Sequence, residues 1–213
     1  MKISVFGATG MAGSAIVSEA LVRGHELTAI SRTARATAQE ERVRQLPLDL
    51  ARAGELDPAF AECDAAVLTV RFPVDEHHRL APATTRVLDA AARTGTRILV
   101  VGGSAPLRSP TDPDRLVIDD PAHVPPQWRS IAQASLDQFH ACRRHADADW
   151  VYLSPPAVLE PGARTGSYRR GTSQLLTRAD GTSRISAADL AIAVLDEFES
   201  PGMDRHFTVV HAG

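Results

Sequence analysis

The chain has 213 residues, of which 44% are hydrophobic, and it carries a formal net charge of −3. This size and hydrophobic content suit one α/β domain with a full core and exclude a disordered chain. No block of like charge is present and no apolar run is long enough to span a membrane, so neither nucleic acid nor a membrane is indicated as a partner. We expect a small-molecule partner, and a monomer or homodimer.

Cysteine and lysine are both rare in this chain. Cys63 and Cys142 are the only cysteines, which is too few for a disulfide framework and fits the reducing cytoplasm. The first predicted strand begins at residue 2, so we expect no signal peptide. Lys2 is the only lysine, which removes mechanisms that need a lysine elsewhere in the chain.

A glycine-rich turn follows the first predicted strand, residues 2–6. Its three glycines, Gly7, Gly10 and Gly13, have the spacing G-x-x-G-x-x-G, and a helical pattern begins at residue 11. In a mononucleotide-binding unit, the first glycine allows the sharp turn, the second lets the backbone approach a pyrophosphate, and the third lets the helix pack closely on the sheet. The helix N-terminus then presents unpaired N–H groups to the phosphates. The pattern predicts a nucleotide site; a plain strand-to-helix turn is the alternative.

The second predicted strand, 27–30, is followed by Ser31 and Arg32. In a dinucleotide-binding fold, an acid at this point binds the ribose 2′-hydroxyl, whereas an arginine suits a 2′-phosphate. No acid is present at the end of this strand, so the sequence favours NADP over NAD. The alternative for Arg32 is a solvent-facing loop residue.

Strands and helices alternate through the first 153 residues, which predicts a parallel sheet covered on both faces. In chain order, the predicted elements are helix 11–23 with Gly24 as its C-terminal cap, strand 27–30, a short Ala-rich helix 34–43, strand 45–48, helix 54–61, strand 65–70, helix 78–94, strand 97–101, an irregular loop 105–125, helix 127–146 and strand 149–153. Asp49 and Leu50 follow the third strand, where the acid could meet an adenine amino group or cap the next helix.

The remaining residues have a different pattern. A turn over 154–157 is followed by a Gly-, Arg- and Thr-rich stretch, 160–183, with short possible hairpin strands. Ser186 and Asp189 form a predicted capping box before a helix that runs to about residue 199, and 207–210 is a last strand. Asp189 is therefore interpreted as a cap rather than a catalyst. We expect a single domain over 1–213, with its core in about 1–153 and a C-terminal lobe in about 154–213.

With these motifs in view, the chain resembles an atypical short-chain dehydrogenase/reductase. More narrowly, it is similar to the NAD(P)-binding group that includes NmrA-like proteins and the biliverdin reductase B (flavin reductase) type. The motifs that carry the resemblance are the glycine turn 7–13, Arg32, Val101-Gly102-Gly103-Ser104, the stretch 149–156, Gly162-Ala163-Arg164-Thr165-Gly166 and the stretch 183–191.

The resemblance implies a Rossmann-type doubly wound parallel sheet with a small C-terminal, substrate-side lobe, and NADP(H) over the carboxyl edge of the sheet. By position, it implies the following binding residues: Gly7, Thr9, Gly10, Met11, Ala12 and Gly13 at the pyrophosphate; Ser31 and Arg32 at the 2′-phosphate; Asp49 and Leu50 near the adenine; Thr69, Val70 and Arg71 at the nicotinamide-side ribose; Ser104, Pro155, Pro156, Ala157 and Val158 around the nicotinamide.

The chain departs from the ordinary catalytic pattern of this superfamily. The usual Tyr-x-x-x-Lys pair is absent, since neither Tyr152 nor Tyr168 has a lysine four residues on. The helix that carries the pair elsewhere, 127–146, offers Gln133, Ser135 and Asp137 instead. Ala157 stands where biliverdin reductase B-type members have a histidine, which puts tetrapyrrole chemistry in doubt. Ser104 remains as the catalytic candidate, and a simple turn residue is its equal alternative.

Other chemistries find little support in the sequence. The histidine spacings indicate no metal site, and no Gly-x-Ser-x-Gly elbow is present. Arg164, Arg169 and Arg170 could meet an acidic substrate, although a solvated face is the simpler interpretation. Because a flavin or quinone is electron-poor and can take its proton from water, we expect an NADPH-dependent reductase of such an acceptor. The alternative is a non-catalytic NADP(H)-binding sensor of the NmrA-like type.

Overall fold

The protein is described by a computed structural model that covers residues 1–33, 41–52 and 54–212. The strands β1–β10 are, in order, Lys2–Phe6, Glu26–Ser31, Val43–Pro47, Ala65–Leu68, Arg97–Val101, Trp150–Ser154, Val158–Glu160, Tyr168–Gly171, Arg184–Ser186 and His206–His211. The helices α1–α4 are Met11–Val22, Leu80–Thr94, Arg129–Arg144 and Ala187–Glu199. Short 3₁₀ turns lie at Asp57–Ala59, Val74–Arg79, Val117–Asp119 and Pro126–Trp128.

Eight strands form one sheet in the order β3-β2-β1-β4-β5-β6-β10-β8. All neighbours are parallel except β8, which is antiparallel to β10. Strand order reverses between β1 and β4, which opens a crevice at the carboxyl ends of these two strands. The predicted Rossmann-type, doubly wound parallel sheet is therefore confirmed.

Helices cover both faces of the sheet. Helices α1 and α4 pack together over one face, and α2 and α3 pack together over the other. All four residues of β4 and all five of β6 are buried, which explains why these strands are almost continuously apolar. Within the described ranges, no helix has the length and apolar character needed to cross a membrane.

The register of the sheet brings the carboxyl ends of its strands to one edge. Phe6 is paired with Ile30 on one side and Leu68 on the other, and Val101 is paired with Leu153. The segments that leave these strands therefore begin side by side. They are residues 7–13, 31–33, 69–73, 102–104 and 155–158.

Two predicted elements of the first half differ in the structure. The helix predicted over 54–61 is wrong, since only the 3₁₀ turn Asp57–Ala59 forms among the described residues there. Pro58 would fall inside such a helix, where it lacks the N–H group and its ring clashes with the preceding turn. The strand predicted over 65–70 ends at Leu68. Of the helix predicted over 34–43, residues 34–40 lie outside the described residues, and Val43 already belongs to β3.

The predicted hairpins in 160–183 are wrong as well. β8 pairs with β10 at the edge of the main sheet, and β7 pairs in parallel with β9 in a separate two-stranded sheet. Both partners are distant in sequence, so the local turn signals do not report them. The long loop 105–125 packs its Leu107 and Val117 against Leu175 of the C-terminal part.

Half of the predicted capping box is present at the start of α4. The Asp189 amide donates to the Ser186 hydroxyl at 3.0 Å, as expected for a cap. The Asp189 carboxylate does not accept a hydrogen bond from the Ser186 amide, as a complete capping box requires. It is fully buried and accepts from the amides of Thr165 and Gly166 at 2.8 and 2.9 Å, with His211 Nδ1 at 3.1 Å. Asp189 therefore anchors the loop before β8.

Candidate functional site

The glycine turn after β1 is held tightly between its neighbours. Gly7 has φ = +87°, in the left-handed region that favours glycine. Its amide donates to the Ile30 carbonyl at 2.9 Å, and a Cβ atom added at Gly7 would lie 2.5 Å from the Thr69 carbonyl oxygen. A Cβ atom at Gly13 would overlap the Gly7 carbonyl oxygen and lie 2.8 Å from its carbon. The first turn of α1 thus rests directly on the backbone of the glycine turn.

The N-terminus of α1 has no side-chain cap and no acidic residue in its first turn. Gly10 is the N-cap residue, and the first three helical amides, those of Met11, Ala12 and Gly13, have no acceptor within the helix. Thr9 and Met11 are exposed. A Cβ atom at Gly10 would meet only the Gly7 carbonyl oxygen, at 3.3 Å, and otherwise open space. Free amides, a positive helix end and an open approach fit a diphosphate.

The end of β2 presents one buried and one exposed polar residue. Ser31 is buried, and its hydroxyl donates to the Thr33 carbonyl at 2.7 Å. Arg32 is exposed and has no ion pair within the part of the chain that the structure describes. Its guanidinium is therefore available to an anion at this edge.

Asp49 follows β3 and belongs to a local turn. Its Oδ1 accepts from the Ala51 amide at 2.9 Å, and Arg52 Nε lies 3.9 Å from Oδ2. The next helical turn begins only at Asp57, so this bond is not a helix cap. Leu50 is buried beneath the turn.

The remaining predicted residues lie at the ends of β4, β5 and β6. Their exposure differs: Thr69, Val70 and Ser104 are half-buried, Pro155 and Pro156 are buried, and Arg71, Ala157 and Val158 are exposed. The Ser104 carbonyl accepts from the Leu107 amide at 2.9 Å, so this residue does close a turn. No bond to the Ser104 hydroxyl is present among the described residues, which leaves this group available at the edge.

The polar residues of α3 divide into two sets. Gln133 and Asp137 are exposed and bonded to each other at 2.9 Å. Ser135 is buried against the end of β5, where a Cβ atom at Gly103 would lie 2.6 Å from its hydroxyl oxygen. Of the three, only Ser135 reaches the edge of the sheet.

Both tyrosine hydroxyls are used inside the fold. The Tyr152 hydroxyl is fully buried and donates to the Ser135 carbonyl at 3.0 Å, and burial raises its pKa above the ordinary value. The ring fills the space that a side chain at Gly102 would need, with Cε1 2.7 Å from such a Cβ atom. The Tyr168 hydroxyl donates to Asp196 at 2.8 Å, and its burial raises its pKa too. The Gly102-Gly103 pair is the only sequence signal for this packing.

The arginines predicted on a solvated face are exposed, and each also has a partner within the fold. Arg164 makes two bonds to Glu19 of α1, at 2.8 and 3.0 Å. Arg170 bonds the buried Glu197 at 2.6 Å and stacks over a phenyl ring, and Arg169 bonds a backbone carbonyl. Arg164 and Arg170 therefore tie β8 and its preceding loop to α1 and α4.

Fold and edge geometry together define a dinucleotide-binding domain of the Rossmann class. The sequence matches the NAD(P)H-binding family over residues 7–198, so the chain belongs to that family. This confirms the resemblance to atypical short-chain dehydrogenases/reductases.

Two kinds of relatives extend the comparison. YwnB of Bacillus subtilis (strain 168), an uncharacterised protein, is 36% identical over 99% of this chain and 98% of its own length. The structure of SP1627 from Streptococcus pneumoniae TIGR4, named as a proposed NADH-flavin reductase, has a TM-score of 0.88 and 29% identity over 99% of each chain. A proposed epimerase from Bacteroides thetaiotaomicron has a TM-score of 0.89 and 29% identity over 100% of this chain and 97% of its own.

Proposed function

We propose that this protein is an NADPH-dependent oxidoreductase that reduces a flavin, a quinone or a similar planar acceptor. The observation that carries the proposal is the uncapped N-terminus of α1 on its glycine turn, together with the exposed Arg32, which has no ion-pair partner among the described residues. The proposed flavin reductase activity of SP1627 agrees with it. That relative is named for NADH, so the preference for the phosphorylated cofactor rests on Arg32 alone.

The pyrophosphate would lie on the glycine turn. The amides of Met11, Ala12 and Gly13 point outward at the positive end of α1, and Gly10 has no side chain to block the approach. The backbone of Gly7 and Thr9 completes this cradle. Burial of a charged diphosphate requires such bonds, because an unpaired buried charge is costly.

The adenosine end would lie over β2 and β3. Arg32 would hold the 2′-phosphate, and Ser31 supports the turn that presents it. Asp49 would accept a hydrogen bond from the adenine amino group through Oδ2, while Leu50 forms the apolar floor. A charge-assisted bond between guanidinium and phosphate is among the stronger protein hydrogen bonds.

The nicotinamide end would lie over β4, β5 and β6. Thr69, Val70 and Arg71 would border its ribose, and residues 155–158 would form the wall behind the ring. Ser104 would bond the carboxamide or a substrate oxygen. When bound, the cofactor supplies a hydride, and the acceptor takes a proton from water, so that NADPH, H⁺ and oxidised acceptor give NADP⁺ and reduced acceptor.

One observation favours a second candidate, a non-catalytic NADP(H)-binding regulator of the NmrA-like type. Both tyrosine hydroxyls are bonded inside the fold, and the only lysine is Lys2, at the opposite end of β1. A carbonyl would therefore find no tyrosine or lysine acid here. An acceptor such as a flavin does not need one, which is why the enzyme remains the leading proposal.

Turnover separates the two candidates. Purified protein is mixed with NADPH or NADH and, in turn, FMN, FAD, quinones and small carbonyls, and loss of nicotinamide absorbance is followed. We expect turnover with flavins or quinones and none with small carbonyls. Tight cofactor binding without turnover on the whole panel would instead support the regulator.

Arg32→Ala tests the cofactor preference. Loss of a charge-assisted bond costs roughly 1.5–3 kcal/mol, so NADPH binding should weaken about 10- to 100-fold, whereas NADH binding should hardly change. Arg144→Ala is the matched control, since Arg144 is also exposed but lies in the last turn of α3, far from this edge. Equal weakening of both cofactors by Arg32→Ala would contradict the assignment.

A further inference from the structure

Trp128 is a large aromatic residue left open at the edge of the proposed site. The chain has two tryptophans. Trp150 is 5% exposed and lies under Arg205, whereas Trp128 is 56% exposed. No ring or cation contact to Trp128 is present among the described residues. Such an aromatic surface on the inward side of a fold requires an explanation.

The position of Trp128 on α3 determines which face of the helix this residue occupies. It is the N-cap residue of α3, with helical backbone angles. Ala132, Ser135 and Phe139 follow at spacings of four, seven and eleven, so all four residues share one helical face. Ala132 packs with Ala105, the neighbour of Ser104; Ser135 lies against Gly103. Phe139 meets Tyr152 of β6 in an edge-to-face arrangement, with 5.0 Å between ring centroids. This face is therefore the one that meets the sheet.

The sheet ends before the helix does. Ser135 is level with Gly103, just past β5, and Trp128 is seven residues nearer the N-terminus, or about 10 Å further out. Among the described residues, β5 ends at Val101 and β6 at Ser154, short of that level. Trp128 thus lies beyond the carboxyl end of β5, on the side of α3 that carries Ala132 against Ala105, and this accounts for its exposure.

The start of α3 is fixed on both sides. His77 Nδ1 and the Ser130 hydroxyl lie 2.9 Å apart, which ties the helix to the segment after β4. On the other side, Arg129 donates to the Ile118 carbonyl at 2.9 Å and pairs with Asp119 at 3.0 Å. The segment that carries Trp128 is therefore held in a defined place.

We propose that the indole of Trp128 is the stacking surface for the oxidised, planar ring of the acceptor. This assignment rests on the proposed function, which brings the nicotinamide to the same edge. An indole binds a flat, electron-poor ring through offset stacking and apolar burial, and it discriminates against small, non-aromatic carbonyls. Met11, Val74 and Val158 are also exposed and follow β1, β4 and β6 in the chain.

Equilibrium binding of FMN and of a naphthoquinone, with the protein saturated with NADP⁺, tests the assignment without turnover. Quenching of flavin fluorescence gives the FMN affinity, and displacement of FMN, followed by the same signal, gives that of the quinone. Trp128→Ala should weaken both about 3- to 10-fold, and Trp128→Phe should stay within about twofold of the native protein because it keeps a stacking ring. NADPH affinity should not change in either variant. In the turnover assay, Trp128→Ala should raise KM for the acceptor and leave kcat unchanged.

The fluorescence emission of Trp128 tests directly whether this residue contacts the acceptor. In Trp150→Phe, Trp128 is the only indole, and saturation with FMN should quench its emission strongly; if that variant does not fold, the difference between the native protein and Trp128→Phe gives the same signal. Unchanged affinity in Trp128→Ala, or unquenched Trp128 emission at FMN saturation, would overturn the assignment. The assignment would also be overturned if the native protein bound neither FMN nor the naphthoquinone.

The outcomes separate this assignment from the proposed function. Acceptor turnover with an unchanged KM in Trp128→Ala removes the role of Trp128 and leaves the reductase in place. Absence of turnover, together with FMN binding that Trp128→Ala weakens, removes the reductase and leaves the aromatic site in place.

Discussion

Replacement of Gly10 by alanine should separate ligand binding from folding. Gly10 has φ = −75° and ψ = 171°, which alanine also adopts. The added methyl group would meet only the Gly7 carbonyl oxygen, at 3.3 Å, so we expect a stability loss below about 1 kcal/mol. The methyl group would, however, fill the approach to the free amides of α1. Loss of one charge-assisted bond there costs roughly 1.5–3 kcal/mol, which is about 10- to 100-fold in NADPH affinity.

Gly13→Ala is the matched variant, for which we expect a loss of stability. Its methyl group would overlap the Gly7 carbonyl, and both atoms are backbone, so α1 must shift. Overpacking of this kind costs roughly 1–3 kcal/mol or more. Urea unfolding with and without NADPH measures both quantities: Gly10→Ala should keep its midpoint and lose most of the cofactor-induced shift, while Gly13→Ala should lower the midpoint itself. Native-like NADPH binding by Gly10→Ala would refute the placement of the diphosphate.

Two further predictions concern buried groups. Burial, with the nearby Arg143 charge, lowers the pKa of His206 to about 4. Above about pH 6.5 this histidine is neutral in both states, and as the pH falls from about 6.5 to about 4 only the unfolded chain gains the proton, so the free energy of unfolding should drop by up to about 3 kcal/mol. His206→Phe should remove that part of the pH dependence, and coincident slopes of native and variant protein would exclude this histidine as its source. Asp189→Ala should cost roughly 2–4 kcal/mol in urea unfolding, because two amides and the Thr165 hydroxyl lose their acceptor; a change under about 0.5 kcal/mol would contradict the anchoring role.

The sheet and its edge could be predicted because both follow from local rules. Strands buried on two faces, such as β4 and β6, need continuous apolar runs, and parallel strands bring their carboxyl ends together. The glycine turn was predictable largely for the same reason: Gly13 is required by its contact with Gly7, six residues away, and Gly7 by its positive φ, although Gly7 also contacts the distant Thr69. The candidate residues at strand ends therefore lie along one edge, as the sequence indicated.

The features that depend on distant partners could not be predicted. Arg164 and Arg170 are paired with Glu19 and Glu197, across the α1 and α4 side of the fold, and no local pattern reports such pairs. β8 finds its partner in β10, so its turn residues suggested a hairpin that does not form.

Trp128 was missed for a related reason. The sequence indicated only that a helix begins near residue 127. The spacing of seven residues between Trp128 and Ser135 becomes informative only once Ser135 is known to contact Gly103, just past the end of β5. Trp128 is thus exposed because α3 begins beyond the ends of the neighbouring strands.

Calorimetric titration of the protein with NADPH tests the central claim most directly. A positive helix end on a glycine turn, with Arg32 beside it, predicts saturable binding of one NADPH per chain, with a Kd of roughly 1–10 μM, or about −7 to −8 kcal/mol. Absence of saturable binding at millimolar NADPH and NADH would contradict a dinucleotide site at this edge.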